Sequence, residues 1–141
     1  ASVIGVDITD DDRKYFDKVE LLDNLDEQLK IADIVILTLP LTDSTRGMFD
    51  KSKFGLMKKS SIFVNIARGP LVVESDLINS LKSGDISGAV LDVFEEEPLN
   101  ENSPLWDMDN VILTPHNSFV GENNNKRMFN VMVNNLEKRN E

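Results

Sequence analysis

Cysteine is absent and histidine occurs once among the 141 residues. The first absence excludes a disulfide framework and a thiolate metal site, and the second excludes a histidine-rich one. Basic charge is scarce: 15 Lys and Arg stand against 25 Asp and Glu, a net charge of -10. No window gathers enough Lys and Arg to track a phosphate backbone, so nucleic-acid binding is not expected. Apolar runs such as Ile34 to Leu37 fall far short of the roughly 20 residues that cross a bilayer, and no signal peptide opens the chain. Together these predict a cytoplasmic protein without membrane contact or bound metal. A methionine start is missing as well. The chain enters an apolar stretch at Val3, directly after Ala1 and Ser2, and the expectation is a piece whose beginning lies upstream.

What is present fits one compact domain, since 40% of the residues are hydrophobic and the length is too small for two ordinary domains. Short β-branched runs recur at Val3 to Val6, Asp33 to Leu37, Ser61 to Ile66, Gly88 to Val93 and Val111 to Thr114. They read as buried strands, with Val19 to Leu22 as an edge strand. Helical spacing follows Asn24 (Leu25, Leu29, Ala32), and Leu77, Ile78 and Leu81 precede Gly84. A short turn is predicted after Asp50. Asn24, Asp50 and Ser75 are candidate N-caps and Gly84 a C-cap. Met128, Val131, Met132 and Leu136 form one stripe of a C-terminal helix starting after Gly121. Strands alternating with helices predict an α/β fold, a parallel sheet covered on both faces, with ligand chemistry at the carboxyl ends of its strands. The irregular stretch Glu95 to Asp109 is long enough to suggest function.

Chemistry-bearing residues fall where strands end. Asp7 closes the first strand, where an acid can accept hydrogen bonds from the ribose hydroxyls of an adenosine and repel a 2'-phosphate, favouring NAD over NADP. It can equally begin an acidic turn running to Asp12. Arg68 follows a strand directly in Asn65-Ile66-Ala67-Arg68-Gly69-Pro70, and the Gly-Pro pair turns the chain there. Its guanidinium suits a two-point grip on the carboxylate of a 2-keto acid, or else an ordinary surface ion pair. His116, in Thr114-Pro115-His116-Asn117, can move a proton near neutral pH, and a carboxylate beside its ring would fix the tautomer. Glu97, from Leu91-Asp92-Val93-Phe94-Glu95-Glu96-Glu97-Pro98, is the candidate carboxylate. A structural histidine and a solvated acidic loop are the alternatives.

In order and spacing, the segments Asn-x-Ala-Arg-Gly, Leu-Asp-Val-Phe-Glu-x-Glu-Pro and Thr-Pro-His closely resemble the signatures of the NAD-dependent D-2-hydroxyacid dehydrogenases. The resemblance extends through Ala32-Asp33, Leu39-Pro40-Leu41-Thr42 and Thr45-Arg46-Gly47, from Val3 to the final helix. It implies a Rossmann-type doubly wound sheet that is incomplete here, lacking its first, central strand and the glycine-rich turn that anchors the pyrophosphate. Residues 1-141 would be a partial NAD-binding domain, with 121-141 a helix leading back toward a substrate-covering domain. The resemblance further implies that Arg68 binds the substrate carboxylate, that His116 exchanges a proton with the 2-oxygen, and that Glu97 orients and charges His116. Asp7 would meet the ribose, Leu39, Pro40 and Thr45 the adenosine and phosphate side, and Ile66, Ala67, Arg68 and Asp92 the nicotinamide end.

Hydride would pass between the cofactor and C2 of a small 2-hydroxy or 2-keto acid, in a protein that pairs as a homodimer. Two departures are visible: Thr38 stands where many relatives carry histidine, and Asn117-Ser118-Phe119 is a subgroup variant. The chain alone is expected to bind NAD poorly and to sustain no turnover, lacking cofactor anchor and lid. An NAD-sensing binding protein of the corepressor kind, and a purely structural dimerisation piece, are the competing readings.

Overall fold

The computed structural model describes residues 1-118 and 120-138, with 134-138 described by backbone alone. Six short strands alternate with helices: β1 (Ile4–Asp7), β2 (Lys18–Leu21), α1 (Leu25–Ile31), β3 (Ile34–Leu37), α2 (Lys51–Phe54), β4 (Ile62–Asn65), α3 (Glu74–Ser83), β5 (Gly88–Leu91), β6 (Val111–Leu113) and α4 (Asn124–Lys138). Every strand pairing is parallel, as the alternating pattern predicts. All six predicted strands form, each within a residue or two of its expected bounds.

The sheet comes in two parts. β1 pairs with β2, and β3 to β6 form a second sheet in sequence order. The division falls between β1 and β3, where the resemblance places an additional central strand. Among the described residues, no ladder joins the two parts.

Strand register divides the larger sheet into two faces. On one face lie Leu37, Phe63, Asn65, Ala89 and Leu91, all buried under α2 and α3. The rings of Phe49, Phe54 and Phe63 pack edge to face or tilted at centroid separations of 5.1 to 6.2 Å. Leu77 and Leu81 of α3 close this core. The other face carries Ile34, Ile36, Ile62, Val64, Val90 and Ile112, of which Ile34, Ile36 and Ile112 are 60%, 55% and 62% exposed. The expectation of cover on both faces is thus met on one alone. The helices between consecutive strands β3, β4 and β5 lie together on one side, and no described element spans the other. Met128, Val131 and Met132 do share a helix, but all three are exposed. Leu136, Phe119 and residues 139-141 lie outside the described side chains.

Two of the three expected N-caps are corrected. Asp50 caps as predicted, its carboxylate accepting from the backbone N–H groups of Ser52 and Lys53. Asn24 makes no cap hydrogen bond, because its amide reaches back to Glu20 at 2.9 Å. Ser75 lies inside α3, whose first residue is Glu74 and whose cap position is held by Val73. Gly84 ends α3 in the left-handed conformation, φ 72°, which only glycine adopts without strain.

Candidate active site

The ends of β4, β5 and β6 release three loops at one edge of the larger sheet, and these hold Arg68, Glu97 and His116. Asn65, the last residue of β4, is buried and grips the first loop from below. Its Oδ1 accepts from the Ala67 N–H at 3.1 Å and its Nδ2 donates to the Arg68 carbonyl at 3.0 Å. The turn is fixed while the Arg68 side chain stays exposed. One guanidinium nitrogen donates to the Ala67 carbonyl at 2.6 Å, which leaves the rest of the donor fork for a ligand.

The second loop packs directly on the first. A methyl group at Gly69 would lie 1.7 Å from the Phe94 carbonyl oxygen and 2.6 Å from the Glu95 nitrogen. Only a residue without a side chain lets the segment after Arg68 touch the segment before Glu97. The Phe94 N–H donates to Glu97 Oε1 at 3.1 Å, and Glu97 Oε2 lies 2.8 Å from His116 Nδ1. Partial burial pushes the Glu97 carboxyl up, but the hydrogen bonds from His116 and the Phe94 N–H outweigh it and hold the group below its ordinary value. The pair joins residues 19 positions apart, as the sequence proposed.

Asp92 secures the third loop. This side chain, 1% exposed, accepts on Oδ1 from the Thr114 hydroxyl at 2.5 Å and the Asn117 N–H at 2.9 Å, and on Oδ2 from the Ser118 N–H at 2.8 Å. Burial opposes its charge, yet these donors together hold its carboxyl far below the usual carboxylate range. Between the tethered residues His116 adopts φ 50°, a left-handed conformation that costs a residue with a side chain on the order of 1 to 3 kcal/mol. The bonds to Asp92 on both sides impose it. Asp92 therefore spends three of its roughly four acceptor sites on holding the histidine loop.

Thr38, Leu39, Pro40 and Leu41 after β3 face Ile66, Ala67 and Arg68 across an open cleft. The Thr45 hydroxyl donates to the Pro40 carbonyl at 2.8 Å, so Thr45 shapes this wall. Asp7 does not join the group. It ends β1 in the smaller sheet, where Oδ1 accepts from the Ile8 N–H at 2.7 Å and Oδ2 pairs with Arg13 at 2.8 Å. Sequence reasoning missed the supporting contacts of Asn65, Gly69, Thr114 and Arg13. Gly69 alone carried a signal, the Gly-Pro pair.

Chemically, the edge offers an exposed guanidinium, an imidazole whose Nδ1 is engaged by a carboxylate while Nε2 carries no protein hydrogen bond among the described residues, and a cleft with apolar walls. A fixed Nδ1 leaves Nε2 as the proton-exchanging atom.

Comparison with known proteins gives the same direction. The family described as D-isomer specific 2-hydroxyacid dehydrogenase, NAD binding domain, matches residues 1-118. A glyoxylate/hydroxypyruvate reductase B from Salmonella newport is 46% identical over 110 residues, 78% of this chain but 33% of that protein. Among solved structures, a D-isomer specific 2-hydroxyacid dehydrogenase from Xanthobacter autotrophicus Py2 in complex with NADPH and MES is 43% identical. The match covers 82% of this chain and 36% of that one at a TM-score of 0.74. One from Lactobacillus delbrueckii ssp. bulgaricus in an NAD complexed form is 33% identical over 96% of this chain and 44% of that one, with a TM-score of 0.78. The chain spans about a third of the length of the curated relatives it matches.

Proposed function

This chain belongs to the D-isomer specific 2-hydroxyacid dehydrogenase family, within its NAD-binding domain, and on that premise we propose that it carries the proton-transfer and carboxylate-binding edge of a dehydrogenase for small 2-hydroxy and 2-keto acids. The observation that carries the reading is the 2.8 Å contact of His116 Nδ1 with Glu97 Oε2. In ketone reduction, His116 begins protonated and passes the Nε2 proton to the 2-oxygen as it gains charge, while Glu97 stabilises the imidazolium from the Nδ1 side. Arg68 holds the substrate carboxylate through two parallel hydrogen bonds, fixing C2 relative to His116.

A nicotinamide cofactor supplies the hydride. The cleft fits such a group in kind: Ile66, Ala67 and Arg68 form one wall, Leu39 and Pro40 the other, and Thr45 braces the Pro40 side. Asp92 belongs to the nicotinamide end of this arrangement, with one Oδ2 acceptor site left after its loop bonds. Asp7 serves the ribose hydroxyls. Because Asp7 occupies Arg13, and Asp10, Asp11 and Asp12 follow closely, this end of β1 disfavours a 2'-phosphate, and NAD(H) is the preferred cofactor. Competition between NADH and NADPH in a fluorescence titration tests that preference. Tighter binding of NADPH would reverse it.

The chain by itself sustains no turnover in this reading, since the His116 and Glu97 side chains are 44% and 37% exposed and solvent competes for every charge they present. Steady NADH oxidation by the chain with glyoxylate or hydroxypyruvate would overturn that. Substrate recognition is tested by binding. Oxamate, a non-reacting 2-keto acid mimic, should shift the ring signals of the single histidine, and Arg68→Ala should abolish the shift. A shift that survives Arg68→Ala removes Arg68 from the site. Two copies pair in the same reading, and sedimentation at increasing concentration reads it.

A further inference from the structure

We propose that Glu74 is a positioning residue for Glu97 and His116, acting through a two-way clamp between the first turn of α3 and the loop that carries Glu97. The Glu74 N–H donates to Glu95 Oε2 at 3.4 Å, and the Glu95 N–H donates to Glu74 Oε2 at 3.3 Å. Each bond is long, but both close together only if the backbones at positions 74 and 95 lie side by side. α3 needs an acceptor here, because Val73 stands at the cap position and offers no side-chain hydrogen bond. Glu95 supplies it from the loop.

The clamp lies two residues before Glu97. On its other flank the same loop presses its Phe94 carbonyl against Gly69, and the Phe94 N–H binds Glu97 Oε1. Glu97 is therefore suspended between two anchors, one from the Arg68 turn and one from α3, with Oε2 left for His116. Glu95, Glu96 and Glu97 are three exposed like charges in a row, so without an anchor their repulsion favours an open loop. Glu74 is also a poor place for a carboxylate: burial first, then the charges of Glu95 and Glu96, push its carboxyl up. The first turn of α3 favours an acid in general, and the bond to the Glu95 N–H further requires an acceptor long enough to reach it.

The inference rests on the pairing of Glu97 with His116 proposed above, and one experiment separates the two. His116 is the chain's one histidine, so its ring nitrogen signals are unambiguous in a ¹⁵N spectrum. The clamp predicts a hydrogen-bonded Nδ1–H in the unaltered chain, lost in Glu97→Ala and in Glu74→Ala while cooperative unfolding persists. Glu74→Gln, whose amide oxygen still accepts from the Glu95 N–H, keeps the signal. If the unaltered chain lacks the signal, the Glu97 pairing falls and the clamp with it. A signal kept in Glu74→Ala, or lost equally in Glu74→Gln, overturns the clamp alone. Should Glu74→Ala fail to fold, Glu95→Ala opens the same clamp from its exposed side and Glu95→Gln keeps it closed. Loss in the first with retention in the second supports the proposal, and any other pattern overturns it.

Discussion

Gly69→Ala is the sharpest perturbation the site offers, because the added methyl meets backbone and not a side chain that can rotate away. Its Cβ would lie 1.7 Å from the Phe94 carbonyl oxygen and 1.9 Å from the carbonyl carbon, where real contacts are essentially never under 3.0 Å. The Arg68 turn and the Glu97 loop must therefore part by at least 1.3 Å (3.0 less 1.7). Overpacking of this kind costs typically about 1 to 3 kcal/mol, and a backbone neighbour puts it at the upper end. With a urea slope of about 1 to 3 kcal/mol per molar, the unfolding midpoint should fall by roughly 1 M. The consequence for the site is separate from the consequence for stability. A displacement of about 1 Å is enough to cost on the order of a hundredfold in an aligned reaction, and here it would pull Glu97 from His116 and Arg68 from both. Gly84→Ala is the control, since a Cβ there meets nothing within 4 Å but must adopt φ 72°, costing about 1 to 2 kcal/mol. Both variants should lower the urea midpoint, but only Gly69→Ala should change the His116 ring signals. A Gly69→Ala chain with unchanged midpoint and unchanged ring signals would refute the direct packing of the two loops.

The remaining predictions concern the support of the site and the faces of the sheet. Asp92→Asn should lower stability at neutral pH by about 1.5 to 3 kcal/mol, the worth of buried hydrogen bonds to a charged group, as read by chemical denaturation. The pH dependence has a definite sign. The folded-state value of Asp92 lies below its ordinary 3.8, so its contribution is complete above 3.8 and is lost as pH falls from there toward the folded value. The substitution should flatten this acid limb, and an unchanged limb would show that Asp92 does not carry it. Leu37→Ala should cost about 2 to 5 kcal/mol while Ile36→Thr stays within about 0.5 kcal/mol, because the two adjacent residues are 3% and 55% exposed. Equal losses in thermal melts would mean that the Ile36 face is covered. Phe63→Ala, at the centre of the three-ring cluster, should cost about 3 to 5 kcal/mol, and a smaller loss would mean that the core closes over the gap.

Where sequence foretold structure, the signal was local. Short apolar runs marked every strand, and Asp50 and Gly84 marked helix ends, one through its side-chain bonds to the next N–H groups and the other through its left-handed backbone. Arg68, Glu97 and His116 stood out because each follows a strand and the order of their motifs is characteristic, and the loops that carry them lie at one sheet edge. What failed was non-local. Asn24 looked like a cap until Glu20 claimed its amide, and Ser75 lost that role because Glu95, 20 positions away in sequence, supplies the acceptor that α3 needs. Cover on both sheet faces followed from the alternation of strands and helices, but alternation does not say on which side each helix packs. Ile34 and Ile36 read as buried because an apolar strand gives no sign of which neighbour is present.

The supports of the candidate site share one design that explains why sequence points to Arg68, Glu97 and His116 and hides what holds them. Arg68, Glu97 and His116 sit on three loops with little regular structure, and each loop is fixed by a residue at a strand end or from a different segment. Asn65 bonds the Arg68 turn, Asp92 bonds the residues on either side of His116, and the Gly69 backbone fills the place against Phe94. Asn65 and Asp92 end or directly follow neighbouring paired strands, β4 and β5, so the sheet's own register sets the spacing between the first and third loops. The middle loop lacks such a tether of its own and depends on contact with Gly69 and on Glu74. It is therefore the element whose displacement should dissociate geometry from stability. Substitutions at Asn65 and Asp92 should damage folding and site together, whereas opening the Glu74 clamp should leave the sheet intact and move Glu97 alone.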